Sequence, residues 1–415
     1  MYEIHKFLSL IFRATFIPGC LIIPWAIGLI SLRTAQLALL VFILVFVIAP
    51  IIFRYSISLQ RGLLFLTFVT YPKNLDYQNP PAVGLYGTRN FYIKVKDEEE
   101  FQGKHDEEFN IGLWHVLPRS LAKRFSKELK IDEKFNEDLM NTNGTTDQEI
   151  EVPKDILQEF EGVEITKELE QQFYEKLLSV PNTVIVLYFH GNTASRGSGH
   201  RVDIYKVLRN LNYHVITFDY RSYGDSDKVP PSEDGLVNDG LTVFNYIRTL
   251  TDNPVIFWGH SLGTGVSSHL LANMERKNIK NGPKGLILEA PFTNIKDEIR
   301  EHPFAKPFKN LPWFDLTIAN PMHTNSLRFE SDKYISQYRQ PVYIMHAEDD
   351  YVIPFHLGYK LYRTALDTRN KTWGQTYFKR FDESFHYGHK FICRAPELPA
   401  LITKFVDTYK NEEGY

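Results

Sequence analysis

Val255-Ile256-Phe257-Trp258-Gly259-His260-Ser261-Leu262-Gly263-Thr264-Gly265 decides how this chain is read. Its first four residues form a short apolar run, as expected of a buried strand, and residues 266–277 read as a helix. Gly259-x-Ser261-x-Gly263 between them matches a nucleophile elbow. A serine on so sharp a strand-to-helix turn takes strained dihedrals. The residues two before and two after it must lack bulk so that the backbones can pass. The turn lifts the serine Oγ above the sheet, at the positive end of the helix. The five-residue pattern also arises by chance, so its meaning depends on whether the remaining chain supplies a base, an acid and an oxyanion hole in order.

Outward from the elbow, apolar runs and helical segments alternate. Residues 183–189 (TVIVLYF) are a continuous β-branched and aromatic run, as in a parallel strand buried on both faces. A helix over 202–211, a strand over 215–218 and a helix over 234–250 lead to the elbow. Strands over 286–290, 342–346 and 376–381 follow it, and a helix over 398–409 closes the series. This alternation predicts an α/β fold with a mostly parallel, doubly wound sheet. Upstream, 91–95 and 111–116 read as a hairpin, which makes His115 a strand residue rather than a catalytic one. The polar stretch 118–181 reads as a solvated insertion, with one helix capped by Thr166 and a flexible loop at 141–147. The alternation breaks again over 291–340, where Phe304, Phe308, Leu311, Trp313, Phe314, Leu316 and Ile318 gather among prolines. That segment reads as an apolar lid admitting acyl chains; the plainer alternative is a loop packed by its own aromatics.

Acyl transfer needs a base to take the serine proton, an acid to orient that base, and donors for the oxyanion. In an α/β-hydrolase the chain order is Ser, then acid, then His. The strand ending at His346 runs into Glu348-Asp349-Asp350-Tyr351-Val352-Ile353-Pro354, so Asp349 and Asp350 both lie at a strand's carboxyl end. His386 and His389 fall between the last strand and the closing helix. Gly388 lets that loop bend, which favours His389 as the base. The backbone N–H groups of Leu262 and of Asn192, just past His190-Gly191, are the candidate oxyanion donors. His260 and His346 read as structural. His214-x4-Asp219 matches an acyltransferase spacing but runs along a strand, so it is set aside. Arg196, Arg201 and Arg221, near strand ends, are candidates for contacting an anionic head group. Such chemistry needs no cofactor, and no CxxC or histidine-rich cluster suggests a metal.

The N-terminal region has a different character. Residues 34–53 carry no charge and are bounded by Arg33 and Arg54, long enough to span a bilayer. The preceding run, 14–32, is also uncharged but holds Pro18, Gly19, Pro24 and Gly28; it reads as a second span, a re-entrant segment or an interfacial helix. Residues 57–69 form an amphipathic segment, on the membrane surface or beneath the catalytic domain. The implied division is an anchor over 1–56, a linker over 57–90 and a catalytic domain over 91–415. The net charge of -3 over 415 residues offers nothing to nucleic acid. Two cysteines, Cys20 and Cys393, do not make a disulfide framework. Sequons at Asn143 and Asn370 favour the lumen or the cell exterior.

The runs YFHGNTASRGSGHRVDIYKVLRNLNYHVITFDYRSYGDS, NPVIFWGHSLGTGV, LILEAPFTNI and HAEDDYVIPFHLG resemble the membrane-anchored α/β-hydrolase-domain 12 family. Members are lysophosphatidylserine lipases, also described as monoacylglycerol lipases. The resemblance extends over residues 65–405 and includes GTRNFYI and IGLWHVLP. It implies an α/β-hydrolase fold and a lipid substrate met at the bilayer. It gives Ser261, Asp350 and His389 the triad roles, since the family's acid directly precedes an x-Val-x-Pro turn. It further implies a single span in the endoplasmic reticulum membrane with a glycosylated, lumenal catalytic domain. The apolar run before the span and the insertion at 118–181 depart from the family pattern. An acyl-protein or acyl-CoA thioesterase on the same scaffold is the rival expectation.

Overall fold

A computed structural model describes residues 16, 19–20, 22–98, 105–131 and 149–412. The Asn143 sequon, the loop at 141–147 and part of the run at 14–32 lie outside the described residues.

The strands are β1 (Thr88–Val95), β2 (Phe109–Val116), β3 (Val184–Phe189), β4 (Tyr213–Phe218), β5 (Val255–His260), β6 (Gly285–Glu289), β7 (Val342–Ala347) and β8 (Thr376–Phe381). They form one sheet in the order β1-β2-β4-β3-β5-β6-β7-β8. β1 and β2 pair antiparallel as the expected hairpin, and β2 joins β4 antiparallel. From β4 to β8 every neighbouring pair is parallel. All residues of β3 to β7 are buried. Such strands must be covered on both faces, which is why their sequences run apolar instead of alternating. Covering helices include Gly199–Asn210, Glu233–Leu250, Leu262–Arg276, Phe355–Thr368 and Leu398–Tyr409. Ser232 caps the second of these by accepting the N–H of Gly235 at 3.1 Å, with Glu233 and Asp234 complementing its first turn. This is the expected α/β architecture, with boundaries that differ from the sequence reading by a few residues.

The chain leaves β3 to one side for β4 and returns on the other as β5, so the strand order reverses between β3 and β5. In such sheets the crevice beyond the carboxyl ends at the reversal receives the ligand. Phe189 faces Gly259, and His260 faces Glu289, which brings the ends of β3, β5 and β6 level.

The helix expected after Thr166 is present as Lys167–Leu178, but the other described parts of the insertion at 118–181 include the helices Arg119–Arg124 and Lys154–Phe160, a departure from the expected solvated segment. They bury Leu121, Phe125, Ile156, Phe160, Phe173 and Leu177 in a core of their own. Phe173 meets Phe125 and Phe160 edge to face, each at 5.2 Å. Each such side chain contributes about 1.5–3 kcal/mol of burial.

The chain divides into two compact units. One holds residues 65–294 with 329–415 and contains the sheet. The other holds residues 1–64 with 295–328. In the latter, Leu32–Tyr55 is one apolar helical stretch of 24 residues containing an 18-residue window of mean hydropathy 2.9. At 1.5 Å per residue it is about 36 Å long, enough for the ~30 Å hydrocarbon layer. A π-helical turn at Ile43–Ile48 interrupts it just ahead of Pro50. A proline lacks an N–H and crowds the carbonyl four residues back, and a widened turn relieves the crowding. The helix Ile57–Leu64 buries Gln60 and Leu64 and exposes Ile57, Leu59 and Leu63. From the insertion after β6, Ala305, Leu311, Phe314 and Ala319 are buried, with Phe46, Phe308, Trp313 and Ile318 packed on them. The domain boundaries read from sequence cut this unit differently, because apolar patterning does not reveal which distant segments pack together.

Candidate active site

Ser261 has φ 54° and ψ −121°, a conformation side-chain-bearing residues seldom adopt, costing of order 1–3 kcal/mol. Its surroundings hold it there. Its N–H donates to the Glu289 carbonyl at 3.0 Å, across to β6. A Cβ on Gly259 would sit 2.6 Å from the Gly263 carbonyl oxygen, and one on Gly263 would sit 2.1 Å from the Phe189 oxygen. The two glycines flanking the serine are therefore required by backbone contact. Leu262 opens the following helix, so its N–H has no acceptor within that helix.

The loop after β3 lies against the nucleophile: a Cβ on Gly191 would be 3.2 Å from the Ser261 Cβ. The Asn192 carbonyl accepts from the Leu66 N–H at 3.0 Å and the Tyr223 hydroxyl at 3.1 Å. Arg201 pins the same loop from below, donating to the carbonyls of Ser195 and Thr193 at 2.6 Å each. The expected oxyanion-loop residue is thus on a braced segment beside the serine.

His389 Nδ1 donates to Asp350 Oδ2 at 2.7 Å. The other oxygen, Oδ1, accepts the N–H groups of Val352 and Ile353 at 2.9 Å each. His346 Nε2 stands 3.3 Å from Oδ2. Burial alone would raise the Asp350 carboxyl, but the His389 charge and the bonds from His346 and His389 hold it well below the usual carboxylate range. With Nδ1 engaged, His389 keeps Nε2 for proton transfer. Asp349, the competing carboxylate, accepts the Gly388 N–H with both oxygens at 3.0 Å. It holds the histidine loop rather than the histidine. Gly388 at φ +53° makes the bend. His386 is exposed, outside this group.

His260 and His346 have the structural parts expected of them. His260 Nε2 bonds the His389 carbonyl at 2.9 Å, and burial holds its pKa well below the ordinary value, so the neutral ring donates. His214 is buried against His115, with 2.9 Å between their ring nitrogens, and Asp219 pairs with Arg196; the spacing decoy is no site.

The three arginines offered for an anionic head group do not serve that purpose. Arg196, Arg201 and Arg221 are at most 1% exposed. Arg196 pairs with Asp219 and Asp225, Arg221 with Asp97 and Asp239, and Arg201 binds the loop carbonyls described above. Arginines near the ends of buried strands are retained here because carboxylates and carbonyls from other segments meet them, a fact that one-dimensional spacing hides. Glu289, the last residue of β6, belongs to no motif in the sequence. Its Oε2 accepts the Trp258 indole N–H at 3.0 Å, and burial pushes its carboxyl up to about 7. The signal available was a lone acid at the end of an apolar strand, LILEA.

The family model described as Serine aminopeptidase, S33 matches residues 181–337, from the first parallel strand through the insertion after β6. The lysophosphatidylserine lipase ABHD12 of Gallus gallus is 36% identical over 372 residues, covering 89% of this chain and 83% of that protein. The chain belongs to the ABHD12 family. The ABHD12 of Mus musculus is likewise 36% identical, over 89% of this chain and 79% of its own length. Protein ABHD12B of Homo sapiens is 34% identical over 56% of this chain and 63% of its own length. Membership makes the chain an ester-hydrolysing enzyme of the α/β-hydrolase class.

Proposed function

We propose that this chain is a membrane-anchored serine hydrolase that cleaves the acyl ester of lysophosphatidylserine, and of monoacylglycerols as further substrates. The observation that carries the catalytic assignment is the 2.7 Å bond between His389 and Asp350, in the loops after β8 and β7, with the strained Ser261 at the elbow after β5. The substrate assignment rests on the ABHD12 relatives named above.

Ser261 Oγ attacks the ester carbonyl while His389 Nε2 takes its proton. Asp350 fixes the tautomer and stabilises the imidazolium. The N–H groups of Leu262 and Asn192 receive the oxyanion; the loss of one such donor costs about 100- to 1,000-fold in kcat. His389 then returns the proton to the leaving glycerol oxygen, and a water repeats the sequence on the acyl-enzyme.

The apolar stretch Leu32–Tyr55 supports a transmembrane anchor, so the lipid is drawn from the bilayer. We place the anchor in the endoplasmic reticulum and the catalytic domain in its lumen. The support is the Asn370 sequon: Asn370 is exposed, and its Oδ1 accepts both the N–H and the hydroxyl of Thr372, at 3.0 and 2.9 Å. Fatty-acid release from lysophosphatidylserine, lysophosphatidylcholine, monoacylglycerol and an acyl thioester, measured on membranes carrying the full chain, tests the assignment. Preference for the serine head group is expected; preference for the thioester would overturn it.

A further inference from the structure

The apolar helix Leu32–Tyr55 cannot satisfy its own backbone. In an α-helix the donor to the Phe46 carbonyl would be the N–H of residue 50, which is Pro50 and has none. The Trp313 indole N–H donates to that carbonyl at 2.6 Å. The last carbonyls of the helix are met in the same way. Gln60, fully buried, donates to the Phe53 and Arg54 carbonyls at 2.8 and 3.1 Å, and Asn325 in turn donates to the Gln60 Oε1 at 2.7 Å. Arg54 donates to the Leu316 carbonyl. The insertion after β6 thus meets one carbonyl of the apolar helix directly, through Trp313, and through Asn325 braces the Gln60 that meets the last ones.

In water this arrangement would have little to gain, because a helix carbonyl left without a donor is hydrated. In hydrocarbon each such group costs several kcal/mol unless protein satisfies it. The surface of the insertion is amphipathic, with Lys306, Lys309, Asn310 and Asp315 exposed beside large apolar side chains, as suits a segment at the edge of a leaflet. Phe304 is 80% exposed and Leu316 is 56% exposed, beside a helix that exposes Ile51 and Ile52. Arg300 pairs with Asp315 at 2.7 Å and Lys309 with Glu301 at 3.8 Å, so several of the charges here are matched internally. Phe46 lies nine residues before Tyr55, about 13 Å along the helix, which falls within one leaflet of a ~30 Å hydrocarbon layer.

From this we infer that residues 303–316 are inserted in the bilayer leaflet adjoining Tyr55, clamped to the anchor helix through Trp313, with Phe304 and Leu316 among the acyl chains. The inference rests on the transmembrane reading of Leu32–Tyr55 and adds a second membrane-contacting element distant in sequence.

The test uses the full chain in phosphatidylcholine vesicles. An environment-sensitive fluorophore is placed on Phe304→Cys, Leu316→Cys or, as an exposed reference on the catalytic unit, Asn370→Cys, in a Cys20→Ser, Cys393→Ser background that retains activity. Labels at 304 and 316 should emit to the blue of the label at 370. They should be quenched by nitroxide-bearing lipids and be several-fold less accessible to iodide. Trp313→Phe, which keeps the ring but loses the donor, should restore part of the iodide access. Retention of the chain in membranes at alkaline pH is measured alongside. If the chain is retained but 304 and 316 behave like 370, the insertion is overturned and the anchor stands. If the chain is released, the anchor reading fails, and this inference with it.

Discussion

Asp350→Asn separates the proposed acid from its neighbour by a tautomer argument. The carboxylate is asymmetrically held: Oδ1 accepts two backbone N–H groups at 2.9 Å, while Oδ2 faces His389 Nδ1 at 2.7 Å. An asparagine of the same shape must place its oxygen where the two N–H donors are. Its NH2 group then points at His389 Nδ1 and forces that nitrogen to accept. The ring proton moves to Nε2, the position that should take the proton of Ser261. A wrong-tautomer triad loses about 10,000-fold in kcat, or about 5.5 kcal/mol of transition-state stabilisation. The fold should survive, since no bond to the Val352–Ile353 turn is lost. Asp349→Asn is the control. Its amide oxygen still accepts the Gly388 N–H, so the loss is one charge-assisted bond, about 1–1.5 kcal/mol, or about tenfold. The assay is kcat for lysophosphatidylserine hydrolysis, with the thermal midpoint of each variant measured in parallel. Losses of equal size in both variants, or a tenth of the activity surviving in a folded Asp350→Asn enzyme, would refute the assignment of the acid.

Glu289 makes stability depend on pH. Its folded-state pKa of about 7 lies above the unfolded value of 4.5, so the folded chain holds the proton more tightly, and stability falls as pH rises through that window, by about 3 kcal/mol in all. Glu289→Gln keeps an acceptor for Trp258 and should flatten this decline; thermal-melt curves of the two proteins that stay parallel from pH 5 to pH 8 would contradict it. Gly263→Ala sets a methyl 2.1 Å from the Phe189 oxygen, against backbone that cannot retreat, and should cost about 3 kcal/mol or more and abolish probe labelling. Arg221→Met leaves Asp97 and Asp239 buried without their cation and should destabilise by about 3–5 kcal/mol, with head-group preference in the surviving enzyme unchanged; an altered preference would restore the ligand role. If the catalytic domain is lumenal, endoglycosidase treatment should shift the mobility of wild type but, once Asn143 is also removed, not of Asn370→Gln; no shift in wild type would count against that topology.

What could be read in one dimension follows from where the constraints lie. β3 and β5 are legible because burial on both faces excludes polar residues, and the elbow because backbone contact excludes any Cβ at Gly259 and Gly263. Chain order leads to the Asp349-Asp350 pair and to His386 and His389; the family resemblance picks out Asp350, and the bend at Gly388 favours His389. The helix Lys167–Leu178 was expected, but the core it shares with Phe125 and Phe160 was not, because its apolar residues are scattered among charges. Arg196 and Arg221 look available for a ligand until Asp225, Asp97 and Asp239 are seen to reach them from other segments. Nothing near Trp313 says that its indole meets a carbonyl 267 residues away. Long-range polar pairings have no local period, and those are where the sequence reading went wrong or stayed silent.

The claim on which everything else depends is that Ser261 is the nucleophile. Reacting the full chain in membranes with a fluorophosphonate and mapping the adduct by mass spectrometry tests it directly. One modified residue, Ser261, is expected, with neither adduct nor fatty-acid release in Ser261→Ala. An adduct on another serine, or labelling and hydrolysis that persist in Ser261→Ala, would contradict it.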